Sequence, residues 1–122
     1  MKYTQDHEWI DLDNDIATIG VTDFAQQQLG DIVFVELPNV GEEIDKGQEV
    51  VVIESIKAAG EIKTPISGVI VEINKSLHDA PEIVNDDPQG EGWFLKIQLS
   101  STVDLTEFMN EDTYRAMVNS DL

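Results

Sequence analysis

The chain has 122 residues, enough for one domain with a real core and too short for two. It has no cysteine, which excludes disulfides, thiolate catalysis and Cys-ligated zinc or iron–sulfur centres. Twenty-five acidic residues against seven basic ones give a net charge of −18. That sign disfavours nucleic acid and anionic membranes as partners, and a 41% hydrophobic share is too high for a disordered acidic tail.

Residues 1–8 contain no apolar run and no Arg-rich stretch, and the longest apolar run is 50–53. No targeting or membrane-spanning segment is expected. The expected location is the cytoplasm of a prokaryote, or the mitochondrial matrix for a mature organellar form. Residues 16–21 predict a strand. Thr22 then suits a helix cap, Asp23 the positive first turn and Gly30 the stop, so 22–29 reads as a short helix. Phe24, Ala25 and Leu29 are its expected inward face. Strand character returns at 32–37 and ends at Pro38. Residues 40–46 read as a loop or turn. Residues 49–55 and 58–63 read as two strands of a hairpin, followed by a turn at Pro65 and Gly68 and a strand at 69–73.

The stretch 74–92 is polar, carries Pro81 and Pro88, and reads mostly as loop. Residues 93–99 predict a last strand with Trp93, Leu95, Ile97 and Leu99 inward. Leu105 and Phe108 fit a short helical turn. Tyr114, Met117 and Val118 fall on one helix face, with Asn110 as its cap. Strands first and helix last predict a mainly β sandwich or barrel with helical decoration. One domain spans 1–122, with a helical extension over about 104–120.

Several patterns imitate chemistry. Asp11, Asp13 and Asp15 have the spacing that opens a calcium loop, but the sixth and twelfth positions are Ile16 and Thr22. Gly90-Glu91-Gly92 lacks the rest of a phosphate loop and reads as a turn before the last strand. His7 and His78 are the only histidines, too far apart in sequence for a helical zinc pair. No catalytic residue and no metal site is therefore assigned. His7 and Trp9 are expected to pack the N-terminal strand.

Lys57 stands out by position. It lies between two strand-like runs, with Gly47 ten residues before it and Gly68 eleven after. Such a scaffold displays an amine at a hairpin tip. By itself this also fits an ordinary surface lysine, a binding module without a cofactor, or a small enzyme using the carboxylates at 11–15. The surrounding residues narrow the choice. The pattern is similar to biotinyl and lipoyl carrier domains, and Glu54-Ser55-Ile56-Lys57-Ala58 resembles the lipoyl site of the glycine cleavage H-protein family. Residues 3–10, 20–38, 65–74 and 81–93 resemble further motifs of that family in the same order. Gln89, where the family usually has an aromatic residue, and Gly60 depart from its pattern.

The resemblance implies a barrel-sandwich hybrid fold and lipoate attached covalently to Lys57. Glu54, Ser55, Ile56 and Ala58 would be the residues by which the hairpin is recognised. It implies a carrier that is not itself an enzyme, and a monomer. The carrier would serve glycine decarboxylase, aminomethyltransferase and dihydrolipoyl dehydrogenase in turn, after modification by a lipoylating enzyme. It leaves open a lipoyl-relay protein that donates lipoate to other carriers. The arm is expected to rest in a groove lined by a carboxylate, for which Asp11, Asp13 and Glu36 are the candidates.

Overall fold

The computed structural model describes residues 1–100 and 105–120. Strands β1 (Lys2–Tyr3), β2 (Glu8–Asp13) and β3 (Ile16–Val21) are followed by helix α1 (Asp23–Leu29). Next come β4 (Ile32–Glu36), β5 (Glu43–Ile44), β6 (Glu49–Ser55), β7 (Ala59–Lys63) and β8 (Gly68–Ile73). Two single-turn helices, α2 (Ser76–Asp79) and α3 (Ile83–Asp86), precede β9 (Leu95–Leu99). A 3-10 turn, Leu105–Glu107, leads into α4 (Glu111–Ser120). Residue 104 of the expected helical extension lies outside the described residues.

The strands form two antiparallel sheets, ordered β1-β2-β3-β9-β8-β5 and β4-β6-β7. Strand side chains alternate between faces, so each sheet turns one apolar row inward. Ile10, Ala17, Ile19, Ile70, Leu95 and Ile97 from the larger sheet meet Val35, Val51 and Ile53 from the smaller. The sheets do not close into a barrel. The mainly β architecture expected from the sequence is the one found.

The local signals at α1 also hold. Thr22 has extended backbone angles and its hydroxyl accepts from the Ala25 N–H at 3.2 Å. Gly30 ends the helix at φ 79°, a region that disfavours residues with a side chain. Ala25 and Leu29 pack on the core as expected. Phe24 instead packs against His7, with ring centroids 4.7 Å apart and the planes tilted by 43°.

Two expectations need correction and a third is incomplete. Residues 74–92 are mostly turn and loop as expected, but α2 and α3 lie within them and insert the buried Leu77 and Val84 into the core. Four-residue helices are too short to show a helical period. The 40–46 loop contains β5, which exists only through pairing of Glu43 with Val69 and Ile44 with Gly68. Trp93 is only half-buried and precedes β9; Phe94 and Leu95 are the buried pair. Alternation does not apply ahead of the strand, where the Phe94 N–H bonds Ile19 O at 2.8 Å. Leu99 is half-buried against the core, as its side of the strand requires.

A second apolar cluster joins the chain ends. Tyr3, Trp9 and Tyr114 are buried together, flanked by Trp93, Met109, Met117 and Val118. Tyr3 and Met109 exchange two backbone hydrogen bonds of 2.8 Å. Tyr3 and Tyr114 stack at 4.7 Å. Asn110 Oδ1 accepts from the Thr113 N–H at 2.9 Å, so α4 has the expected cap and the expected apolar face.

Candidate functional site

The β6–β7 hairpin pairs Glu54 with Ala59, which leaves Ile56, Lys57 and Ala58 at the tip. The Ser55 N–H donates to Ala58 O at 2.8 Å and closes the turn. The Ser55 hydroxyl then braces it from inside. It accepts from the N–H groups of Lys57 and Ala58, each at 3.2 Å, and donates to Ala58 O at 3.1 Å. One donor and two acceptors exhaust what a hydroxyl offers. A local serine bond of this kind makes a turn without help from a neighbouring strand.

A further bond ties the tip to the body: the Ile56 N–H donates to Asp31 O at 3.0 Å, just ahead of β4. The Lys57 stem runs beside Gly30, where an added Cβ would sit 3.3 Å from Lys57 Cε and 3.5 Å from Cδ. Lys57 and Ala58 are exposed, and Ile56 is 67% exposed, unusual for so apolar a side chain. Glu54 is exposed and lies opposite Phe34 across β4 and β6. The five residues selected from the sequence therefore come together in one hairpin, Lys57 at its apex and Ser55 beneath it.

Two grooves lie toward the base of this hairpin. One, of about 340 Å³, is lined by Glu36, Pro38, Glu49, Val50, Val52 and Glu61. A hydrogen bond and charge repulsion from Glu49 hold the Glu61 carboxyl above its ordinary range. The other, of about 310 Å³, lies between Thr4, Asp6, Lys46, Lys63 and the segment at Glu107–Met109, and contains Glu8. Glu8 is 4% exposed. Its carboxylate accepts from the Thr4 hydroxyl at 3.0 Å. Burial pushes its pKa up to about 7; the Thr4 bond opposes this, Asp6 adds to it, and Lys63 opposes it again.

The carboxylates chosen for a groove divide. Glu36 lines the larger one. Asp11 is exposed and faces the N-terminal amine at 3.9 Å, and Asp13 lines a separate groove beside the β2–β3 turn, away from the lysine hairpin. Glu8, which the sequence reading passed over, is the buried carboxylate among the described residues. His7 and Trp9 pack the N-terminal strand as expected. His7 Nδ1 lies 2.8 Å from the Tyr114 hydroxyl, and the Trp9 indole N–H donates to Pro88 O at 2.9 Å. Among the described residues no group of three His, Asp or Glu side chains is placed to hold a metal ion, and no helix is long and apolar enough to cross a membrane.

A family model described as "Glycine cleavage H-protein" matches residues 1–121. The chain belongs to the glycine cleavage H-protein family. That family is the lipoyl carrier of the glycine cleavage system. Curated relatives agree over nearly the whole length. The glycine cleavage system H protein of Rhodospirillum rubrum is 53% identical over 119 residues, 97% of this chain and 94% of that one. Its counterpart from Xanthobacter autotrophicus is 48% identical over 120 residues, 98% of this chain and 96% of that one. The crystal structure of a glycine cleavage system H protein from Mycobacterium marinum superposes with a TM-score of 0.88. It shares 34% identity and covers 97% of this chain and 95% of its own. The two open sheets with a C-terminal helix are thus the barrel-sandwich hybrid of the glycine cleavage H-protein family. Gln89, the departure noted from the family pattern, is absorbed into the packing. Its Oε1 accepts from the Asp23 N–H at 3.1 Å, and its Nε2 lies 3.4 Å from the Tyr3 hydroxyl.

Proposed function

We propose that Lys57 carries lipoate in amide linkage, and that this chain is the non-enzymatic carrier component of its system. The observation that carries the reading is an exposed lysine on a tip braced by Ser55 and tied to Asp31. The residues present suit the group. Lys57 is exposed at the hairpin tip, and no salt bridge among the described residues engages its amine. A lysine ammonium is charged and a weak nucleophile at neutral pH, so the side chain serves better as an attachment point than as a catalyst. The bound dithiolane would supply the redox and group-carrying chemistry. Covalent attachment holds that group at high effective concentration for each enzyme in turn.

The remaining residues position and shelter. Ser55 and Asp31 set the direction of the root. Glu8 offers a poorly hydrated carboxylate to a cationic amine, and a cation there would favour its ionised form. Ile56, Ala58 and the exposed Glu54 present the lysine's neighbours to a lipoylating enzyme. Glycine decarboxylase, aminomethyltransferase and dihydrolipoyl dehydrogenase are the partners this reading names. The cytoplasm is the place this reading names, a choice supported by the bacterial origin of the relatives, and a monomeric single domain over 1–122 is the form it names.

The test is peptide mass spectrometry after incubation with a lipoate ligase, lipoate and ATP. One lipoyl increment on Lys57, absent in Lys57→Arg, is the expected result. An unmodified Lys57, in a tube where a known carrier is modified, would end the proposal. Glycine-dependent reduction of the modified chain then separates glycine cleavage from lipoyl relay.

A further inference from the structure

The tip of the lysine hairpin rests on a corner of chain, residues 30–32, that joins α1 to β4. Asp31 O takes the Ile56 N–H, and the bare α-carbon of Gly30 lets the Lys57 stem pass close. The corner is in turn held from α3. Asn85 Oδ1 accepts from the Ile32 N–H at 2.9 Å, and Asn85 Nδ2 donates to Gly30 O at 2.9 Å and to Gln26 Oε1 at 2.9 Å. The amide orientation is settled by its partners, since a backbone N–H only donates and a carbonyl only accepts. Asn85 is more than 50 residues from this corner in sequence and is half-buried. It fastens both sides of Asp31, the residue that fastens the tip.

We propose that Asn85 is a positioning residue for acylation of Lys57: by clamping the Gly30–Ile32 corner it fixes the root from which the lysine is presented. The inference rests on the reading of Lys57 as the modified residue. In that reaction the deprotonated Nζ attacks the carbonyl carbon of an acyl adenylate. The C–N bond forms, the nucleotide leaves with the C–O electron pair, and the amine proton passes to solvent. The attack needs Nζ within bonding reach along one direction. A hairpin free to swing spreads the amine over many orientations, and the acylating enzyme must then supply the ordering. Asn85 removes that cost from inside the carrier, without offering a surface that the enzyme must read.

The test combines amide hydrogen exchange on the unmodified chain with ligase kinetics at Lys57. In the wild type, the Ile56 and Ile32 amides should exchange slowly, near the rates of Val51 and Ile53. Asn85→Ala should release Ile56 and Ile32 selectively, leave Val51 and Ile53 protected, and lower kcat/KM about fivefold or more. Asn85→Asp keeps the acceptor for Ile32 and loses both donors, so it should fall between the two. A purely structural role would lower the melting temperature and leave kcat/KM unchanged below it. An Ile56 amide that exchanges freely in the wild type would overturn the proposal. So would Asn85→Ala acylated at the wild-type kcat/KM while folded. Should Asn85→Ala fail to fold, wild-type exchange and the Asn85→Asp kinetics decide. A wild-type chain that no ligase modifies at Lys57 would remove the functional reading and the proposal together, whereas loss confined to kinetic equality of the variants removes the proposal alone.

Discussion

Ionising Glu8 means stranding a charge among Thr4, Asp6 and Lys63 at 4% exposure. Its folded pKa of about 7 lies above the ordinary 4.5. Between those values the folded chain holds a proton that the unfolded chain has released. The stability this group contributes is complete below about pH 4.5 and is lost as pH rises through 7. The loss is on the order of 3 kcal/mol. Glu8→Gln keeps a hydrogen-bonding side chain without the charge, so urea melts of the variant should show a flatter pH dependence from 4.5 to 7. An unchanged slope would mean that Glu8 ionises freely. At this scale the sequence places Lys57 at a hairpin tip and marks Ser55 only as a neighbour by which that hairpin would be recognised; the bonds by which Ser55 braces the turn are seen in the structure. The sequence said nothing of Glu8. That side chain lies in a groove whose other walls include Lys46, Lys63 and Phe108, which are distant along the chain.

The elements that matter most to the site are short, and side chains fix their ends. The Thr22 hydroxyl caps α1 and lies 2.6 Å from the Tyr114 hydroxyl, which also meets His7 Nδ1 at 2.8 Å. One phenol thus ties α4 to the start of α1 and to the N-terminal segment. Burial holds the Tyr114 hydroxyl above its ordinary pKa, so it stays protonated and able to donate at neutral pH. Tyr114→Phe keeps the stack on Tyr3 but deletes both bonds. It should cost about 1–3 kcal/mol in urea denaturation. A loss within error of zero would show that water replaces the phenol at both partners. The helices α1 and α4 were legible because each carries its own cap and face. The turns α2 and α3 and strand β5 were not. Each is two to four residues long and is specified by what it packs against or pairs with.

Over the whole molecule, 25 carboxylates against seven basic residues leave a strong negative field. Glu36, Glu49 and Glu61 line the larger groove, and Glu54 stands next to the tip on the outer face of the small sheet. Association with an enzyme that presents a basic entrance should be steered by this field and screened by salt. For the lipoate ligase or the dihydrolipoyl dehydrogenase, the second-order rate should fall about tenfold between low and physiological ionic strength. The measurement is kcat/KM against added salt, with free lipoamide as the uncharged control for the dehydrogenase. A carrier rate that tracks the control would show that charge does not guide docking.

The sequence by itself determined the mainly β class, the lysine hairpin, the capped short helix over residues 22–29 and the family. Each is written in near neighbours, as alternation, caps, turns or an unbroken motif. The tertiary structure alone decided which carboxylate is buried, which aromatic enters the core, and what holds the hairpin in place. Glu8, Phe94 and Asn85 act through groups far away in the chain. The free energy of a buried charge or a distant hydrogen bond depends on the surroundings that folding assembles, and no local pattern records those surroundings.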